Sequence, residues 1–221
     1  EWAVLAGAKS SALRIIYSLG TIAITIALYE MLRPQAEEHA ILFIACGWWT
    51  VASVLIVHYQ IKGTPRLTNG PTLALLGWLV FVPAWSAVII LLERWPEILI
   101  TLFVIVWCAD TLAYFGGKTL GRRQLASRIS PGKTWEGLLI ALFGTLALAV
   151  IAALTLHPAP LLVVFLIVAA TVIASVIGDL LESLLKRSCG VKDSGSILPG
   201  HGGILDRLDS ILLVLPTAYY G

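Results

Sequence analysis

Charge is scarce in this chain: of 221 residues only 13% are Asp, Glu, Lys or Arg. A soluble domain carries roughly 25%, so there is too little charge here to coat a globule of this length with a water-facing surface. Cysteine is scarce as well. The three present, Cys46, Cys108 and Cys189, exclude a secreted disulfide scaffold, and no Cys/His spacing supports zinc. A net charge of +2 excludes a broad basic surface for nucleic acid. There is no Gly/Ser linker, no low-complexity tract and no obvious internal repeat. What is abundant is apolar: 58% of residues are hydrophobic and the mean hydropathy is +0.91.

A bilayer's hydrocarbon is crossed by about 20 apolar helical residues. Seven runs approach that length: roughly Ile15–Leu32, Ala40–Tyr59, Thr72–Leu92, Glu97–Gly116, Gly137–Leu156, Leu161–Leu185 and Ile204–Tyr220. Pro34, Gly63 with Pro65, Pro71, Pro96, Pro131 with Gly132, Pro158 with Pro160, and Pro199 with Gly200 punctuate them, as expected at helix ends. The reading is an all-α, polytopic membrane protein of about seven transmembrane helices, one domain over 1–221. The chain opens at Glu1 without an initiator Met or a signal pattern, so further spans are expected upstream.

Lys and Arg divide unevenly between alternating loops. One side holds Lys9, Arg14, Lys62, Arg66, Lys118, Arg122, Arg123, Arg128, Lys133, Lys186, Arg187 and Lys192; the other holds only Arg33 and Arg94. The positive-inside rule makes the first side cytoplasmic.

The acids are more specific. Asp110, Asp179, Glu182, Asp206 and Asp209 lie within or at the edge of the runs, where each costs roughly 2.5–3.5 kcal/mol at a helix centre. All five lie toward the basic end of their runs. Asp179, Glu182 and Lys186 follow i, i+3, i+7 spacing on one helical face, and Asp206 and Asp209 are i, i+3. Hard carboxylate oxygens on two facing helices suit Mg²⁺. The plainer reading is that Glu182–Lys186 and Asp206–Arg207 are ion pairs.

Between these helices, residues 190–203 form a loop rich in glycine and in donors suited to phosphate. Gly116-Gly117-Lys118-Thr119 and Pro131-Gly132-Lys133-Thr134 resemble the end of a P-loop. The required first glycine falls at Leu112 or Ser127, so neither is one. A basic, glycine-rich surface beside buried acids suits metal-bridged phosphate chemistry on a lipid.

The stretch from Ser183 through Lys186-Arg187, Lys192-Asp193, Pro199-Gly200-His201-Gly202-Gly203 to Asp206-Arg207-Leu208-Asp209 resembles the signature of the phosphatidate cytidylyltransferases, or CDP-diacylglycerol synthases. Trp107-Cys108-Ala109-Asp110 through Gly117, and Ser130-Pro131-Gly132-Lys133-Thr134-Trp135-Glu136-Gly137, resemble two further blocks of the bacterial enzymes, and together the blocks imply that the C-terminal half, about 100–221, carries the catalytic motifs. Glu1-Trp2 resembles a pair that follows N-terminal spans in that family, which implies a longer parent of about nine spans.

The resemblance implies that CTP and phosphatidic acid give CDP-diacylglycerol and pyrophosphate. It assigns Asp179, Asp206 and Asp209 to Mg²⁺, with a second cation such as K⁺ alongside. Lys186, Arg187, Lys133 and Lys192 go to phosphates. Asp110, Ser183, Asp193, His201, Gly202 and Gly203 complete the substrate site, although for His201 a backbone-bonding role reads equally well. Lys186, Arg187, Asp206 and Asp209 are the expected catalytic set. The expected setting is the bacterial inner membrane, with the site facing the cytoplasm and a homodimer as one open assembly. A cytidylyltransferase or kinase acting on another lipid such as a polyprenol, or less readily an ion-coupled transporter, remains open on the residues alone.

Overall fold

In the computed structural model, residues 1–32, 38–63, 70–156, 160–195, 197 and 202–217 are described. The long runs of apolar residues become helices: α2 Ser11–Leu32, α3 Glu38–Lys62, α4 Gly70–Arg94, α5 Pro96–Leu120, α6 Trp135–Leu156, α7 Leu161–Ser188 and α8 Leu205–Thr217, preceded by a single turn, α1 Trp2–Leu5. Pro96 opens α5 at its first position, where the missing N–H is no loss. Pro160 likewise immediately precedes α7.

Five helices are long and apolar enough to cross a membrane: α2, α4, α5, α6 and α7. The expected count of seven is therefore not reached among the described residues. Within the run expected over Ile204–Tyr220, the described residues form a helix of 13 residues, about 20 Å long at 1.5 Å per residue. α3 has the length, 25 residues, but is not among the five. Helix ends also overrun the apolar runs, because Lys62, Arg94, Lys118 and Arg187 continue their helices beyond the hydrophobic stretch.

The stretch around Pro131 and Gly132, read above as punctuation, pairs instead. β1 Gln124–Ala126 and β2 Ser130–Thr134 form an antiparallel hairpin. Its turn is fastened to the end of α3: Gln60 donates to Ser127 Oγ at 2.8 Å, Arg128 N donates to Gln60 Oε1 at 3.2 Å, and Arg128 Nη1 donates to the Ile61 carbonyl at 2.9 Å.

Glycines set the closest helix approaches. A Cβ at Gly137 would lie 2.7 Å from the Ala113 carbonyl, and one at Gly116 2.7 Å from Ile140, so α5 and α6 meet backbone to backbone. A Cβ at Gly178 would meet the Asp209 carbonyl at 2.6 Å, which brings α7 against α8. Leu91, Leu102, Leu181, Leu184, Leu185, Val172 and Val214 fill the interior. Leu13, Ile15, Ile16, Leu19, Ile22 and Ile26 of α2 stay exposed, a face suited to lipid.

At one end of the bundle a polar tie joins α2 to α4. Tyr29 of α2 donates to Glu93 of α4 at 2.8 Å. At the opposite end lie the start of α4, the ends of α3 and α5, the hairpin, the end of α7 and the start of α8. The described basic residues Lys62, Lys118, Arg122, Arg123, Arg128, Lys133, Lys186 and Arg187 thus share one end of the molecule, as the loop asymmetry predicts.

Candidate active site

The last three turns of α7 carry Asp179, Glu182, Ser183, Lys186 and Arg187. Lys186 is nearly buried, and its ammonium lies 2.6 Å from Asp206 Oδ1 and 2.5 Å from Glu182 Oε2. An ammonium at that depth needs such partners. The Glu182–Lys186 ion pair allowed by their i, i+4 spacing is therefore formed, and Asp206 pairs with Lys186 across the α7–α8 seam.

Asp206 occupies the first turn of α8, outside the five long apolar helices, and is engaged on both oxygens. Ser194 N donates to Oδ1 and Oδ2 at 3.1 Å each, and Gly203 N donates to Oδ2 at 2.8 Å. Burial pushes this carboxyl up, but the Lys186 ammonium and the Gly203 and Ser194 amides outweigh it and hold the pKa at about 2. Gly202 has φ +84°, and a Cβ there would lie 3.0 Å from Asp206 Oδ2. Both the left-handed backbone and the close approach call for glycine.

Asp179 pairs with Lys133 of β2 and accepts from Ser183 Oγ at 3.3 Å. Asp110 of α5 faces Lys133, Asp179 and Ser210. Asp209 faces Asp179, Lys133 and Lys186, and its Oδ1 accepts from Ser210 N at 2.7 Å. Lys133 is delivered by the hairpin, whose start is tied to α6 because Glu136 accepts from Arg122 N at 3.0 Å and Arg123 N at 3.1 Å. Thr134 Oγ1 accepts from Gly137 N at 3.1 Å as α6 begins.

The structure thus brings Asp110, Lys133, Asp179, Ser183, Lys186, Gly202, Gly203, Asp206 and Asp209 to one end of the bundle. Arg187, Lys192 and Asp193 are exposed at its rim. His201 lies outside the described residues. Sequence reasoning left Ser194, Ser210, Glu136 and Glu1 out of the site. Glu136 stands in a quoted motif block, but nothing in its spacing points to the Arg122 and Arg123 amides.

The donors are suited to a hard divalent cation, all of them carboxylate oxygens. Five carboxylates, Asp110, Asp179, Glu182, Asp206 and Asp209, face two lysines, Lys133 and Lys186. This leaves an excess of negative charge, which an added cation would balance. Among the described residues, no three His, Cys, Asp or Glu stand in a ready-made metal cage. Asp206 in particular spends its oxygens on Lys186 and backbone amides.

The profile of the cytidylyltransferase family matches residues 1–221. The chain belongs to that family. A phosphatidate cytidylyltransferase of Pseudomonas aeruginosa is 40% identical over 223 aligned positions, covering 98% of this chain and 80% of that protein. One from Haemophilus influenzae is 39% identical, covering 83% of this chain and 69% of its own length. One from Bacillus subtilis reaches 49% over 118 positions, which are 53% of this chain and 44% of that protein. The bundle end just described brings the described residues between Ser183 and Asp209 together with Asp110 and Lys133.

Proposed function

We propose that this chain acts as its relatives are named, transferring CMP from CTP to phosphatidic acid. The single observation that carries the reading is the Lys186 ammonium held between Asp206 and Glu182 at the seam of α7 and α8, with the Lys133–Asp179 pair beside it. This is an arrangement for handling phosphates next to a lipid-facing bundle.

A phosphate monoester has a second pKa near 6, so the phosphatidate oxygen is already ionised at neutral pH and needs no general base. It attacks the α-phosphorus of CTP; a P–O bond forms there, and the bond to the β-phosphate breaks to release pyrophosphate. The obstacle is the meeting of two anions. Lys133, Lys186, Arg187 and Lys192 bind and orient the phosphates. Asp110, Ser183, Asp193 and the Gly202–Gly203 backbone complete the substrate site, and His201, which lies outside the described residues, is assigned to the same site from the sequence. Asp179, Asp206 and Asp209 would hold Mg²⁺, with a second cation such as K⁺ alongside, and the bound metal supplies the charge neutralisation that the acid-rich centre otherwise lacks.

The reading places about seven spans in the inner membrane of a bacterium, with the basic end toward the cytoplasm, where CTP is found. In intact cells, a cysteine replacing Arg123 in a cysteine-free background should resist an impermeant thiol reagent; labelling from outside reverses the orientation. The deciding assay uses the protein in detergent or liposomes with Mg²⁺, CTP and phosphatidic acid. CDP-diacylglycerol and pyrophosphate should form in equal amounts. Cytidylylation or phosphorylation of a polyprenol in place of phosphatidic acid would give the role to that other lipid.

A further inference from the structure

Glu1 stands before α1 yet its side chain makes no cap bond to that helix. Its carboxylate crosses instead to the far end of the sequence. Oε1 accepts from Ile204 N at 2.9 Å, and Oε2 accepts from Leu205 N at 2.7 Å and from Ser194 Oγ at 3.3 Å. The two amides belong to the start of α8, where N–H groups have no partner within the helix and a negative charge meets the positive end of the dipole. Ser194 is the residue whose own N–H holds both oxygens of Asp206. One carboxylate therefore grips both sides of the loop that orients Asp206.

Two glycines of the signature lie against the same carboxylate. A Cβ at Gly195 would come within 2.8 Å of Glu1 Oε1, and one at Gly203 would meet Ser194 Oγ first and then both Glu1 oxygens at 2.8 Å, so a side chain at either position would push the Glu1 carboxylate or the Ser194 hydroxyl aside. The residue after Glu1 supplies the anchorage. Trp2 is buried, donates from Nε1 to the Leu73 carbonyl at 2.7 Å, and packs edge-on against Phe81 with ring centroids 5.3 Å apart. It also shares a small gap with Glu182, Leu205 and Asp209. Beyond it, the close approach of Gly70 to the Ala6 carbonyl sets the end of α1 on the start of α4.

We propose that Glu1 is a positioning residue for the transferase site, clamping Ser194, Ile204 and Leu205 so that the Ser194 and Gly203 amides hold Asp206 against Lys186. The inference rests on the reading of Asp206 and Lys186 as site residues given above. It adds a residue more than 190 positions away in sequence, one that touches neither substrate nor metal and acts through the backbone of the signature loop.

The test compares the intact protein in detergent with Glu1→Ala, Glu1→Gln and Glu1→Asp. One readout needs no activity: amide hydrogen exchange in peptides covering residues 193–195 and 202–208. The other is kcat and KM for CTP per folded molecule. Glu1→Ala should speed exchange in those two segments selectively and lower kcat by of order 10- to 100-fold, the scale on which a small misplacement costs rate. Glu1→Gln, whose amide oxygen still accepts a backbone bond, should recover part of both losses. Exchange raised evenly across all helices with kcat unchanged overturns the proposal, as do wild-type exchange and turnover in Glu1→Ala. Should Glu1→Ala not fold, the same outcomes are read from Glu1→Gln. Selective loosening in a protein whose wild type makes no CDP-diacylglycerol supports the clamp and overturns the assigned reaction instead.

Discussion

Two lysine–carboxylate contacts share one end of the bundle and differ in how far water reaches them. Around Lys186 the side chains of Lys186, Glu182 and Asp206 are 11%, 5% and 13% exposed. In the Lys133–Asp179 pair both are 26% exposed. The first group joins two packed helices, α7 and α8; the second joins α7 to a hairpin at the rim. Chemistry that must receive and release a polyphosphate benefits from both: a centre that does not move and a cation that can change partners. The difference also separates stability from turnover, because removing one member of a buried pair leaves a charge without compensation, whereas a water-accessible pair contributes little.

The largest effect is expected at the buried group. Lys186→Ala should lower stability by about 3–5 kcal/mol, seen as a drop in the thermal unfolding midpoint in detergent, and should reduce CDP-diacylglycerol formation by about 10²-fold or more. A variant that keeps the wild-type midpoint would remove the distinction between the two pairs. Gly178→Ala follows, since its new methyl meets the Asp209 carbonyl and Leu213, neither of which can swing away. Wedging α7 from α8 should cost about 1–3 kcal/mol and turnover along with it. Gly132→Ala, with nothing within 4 Å, is the matching control.

Lys133→Ala sharpens the comparison from the other side. Stability should fall by less than about 1 kcal/mol, while turnover falls by about 10²-fold, so rate and midpoint part company. The smallest effect concerns pH. The Asp206 carboxyl is held down at about 2, below the usual carboxylate value near 4. Its contribution to stability is then complete above about pH 4 and is lost as pH falls from there through 2. The gap in midpoint between wild type and Asp206→Asn should stay constant from pH 7 to 5 and close only below about 4. Closure near neutrality would mean that Lys186 and the two amides do not hold the charge.

Much of this was legible in one dimension. Apolar runs give the helices because hydropathy and length are local properties, and the spacing of Glu182 and Lys186 gives their pair because a helix places i and i+4 together. The basic end of the bundle follows from counting loop charges. Asp206 shows where such reasoning stops. Its neighbour Arg207 is the partner suggested by sequence, but the carboxylate turns to Lys186, brought near by the Gly178 contact between α7 and α8. Lys133 reaches Asp179 only because residues 124–134 pair as a hairpin, too short for a periodic signal. Glu1 was legible as part of a pair of residues, never as a clamp, since its partners lie at the opposite end of the chain.

α7 has 28 residues, about 42 Å at 1.5 Å per residue, against a hydrocarbon thickness of about 30 Å. Counted from Leu161, about 20 residues cross that thickness and end near Leu180, which leaves the two turns that bear Lys186 and Arg187 beyond the hydrocarbon. An enzyme built this way meets its lipid in two dimensions: the phosphate of the substrate arrives by lateral diffusion at the depth where the cations already wait, and the acyl chains never leave the bilayer. Its rate would then follow the mole fraction of substrate lipid in the surface, and diluting that surface with inert phospholipid would slow the enzyme even at a fixed amount of substrate per millilitre.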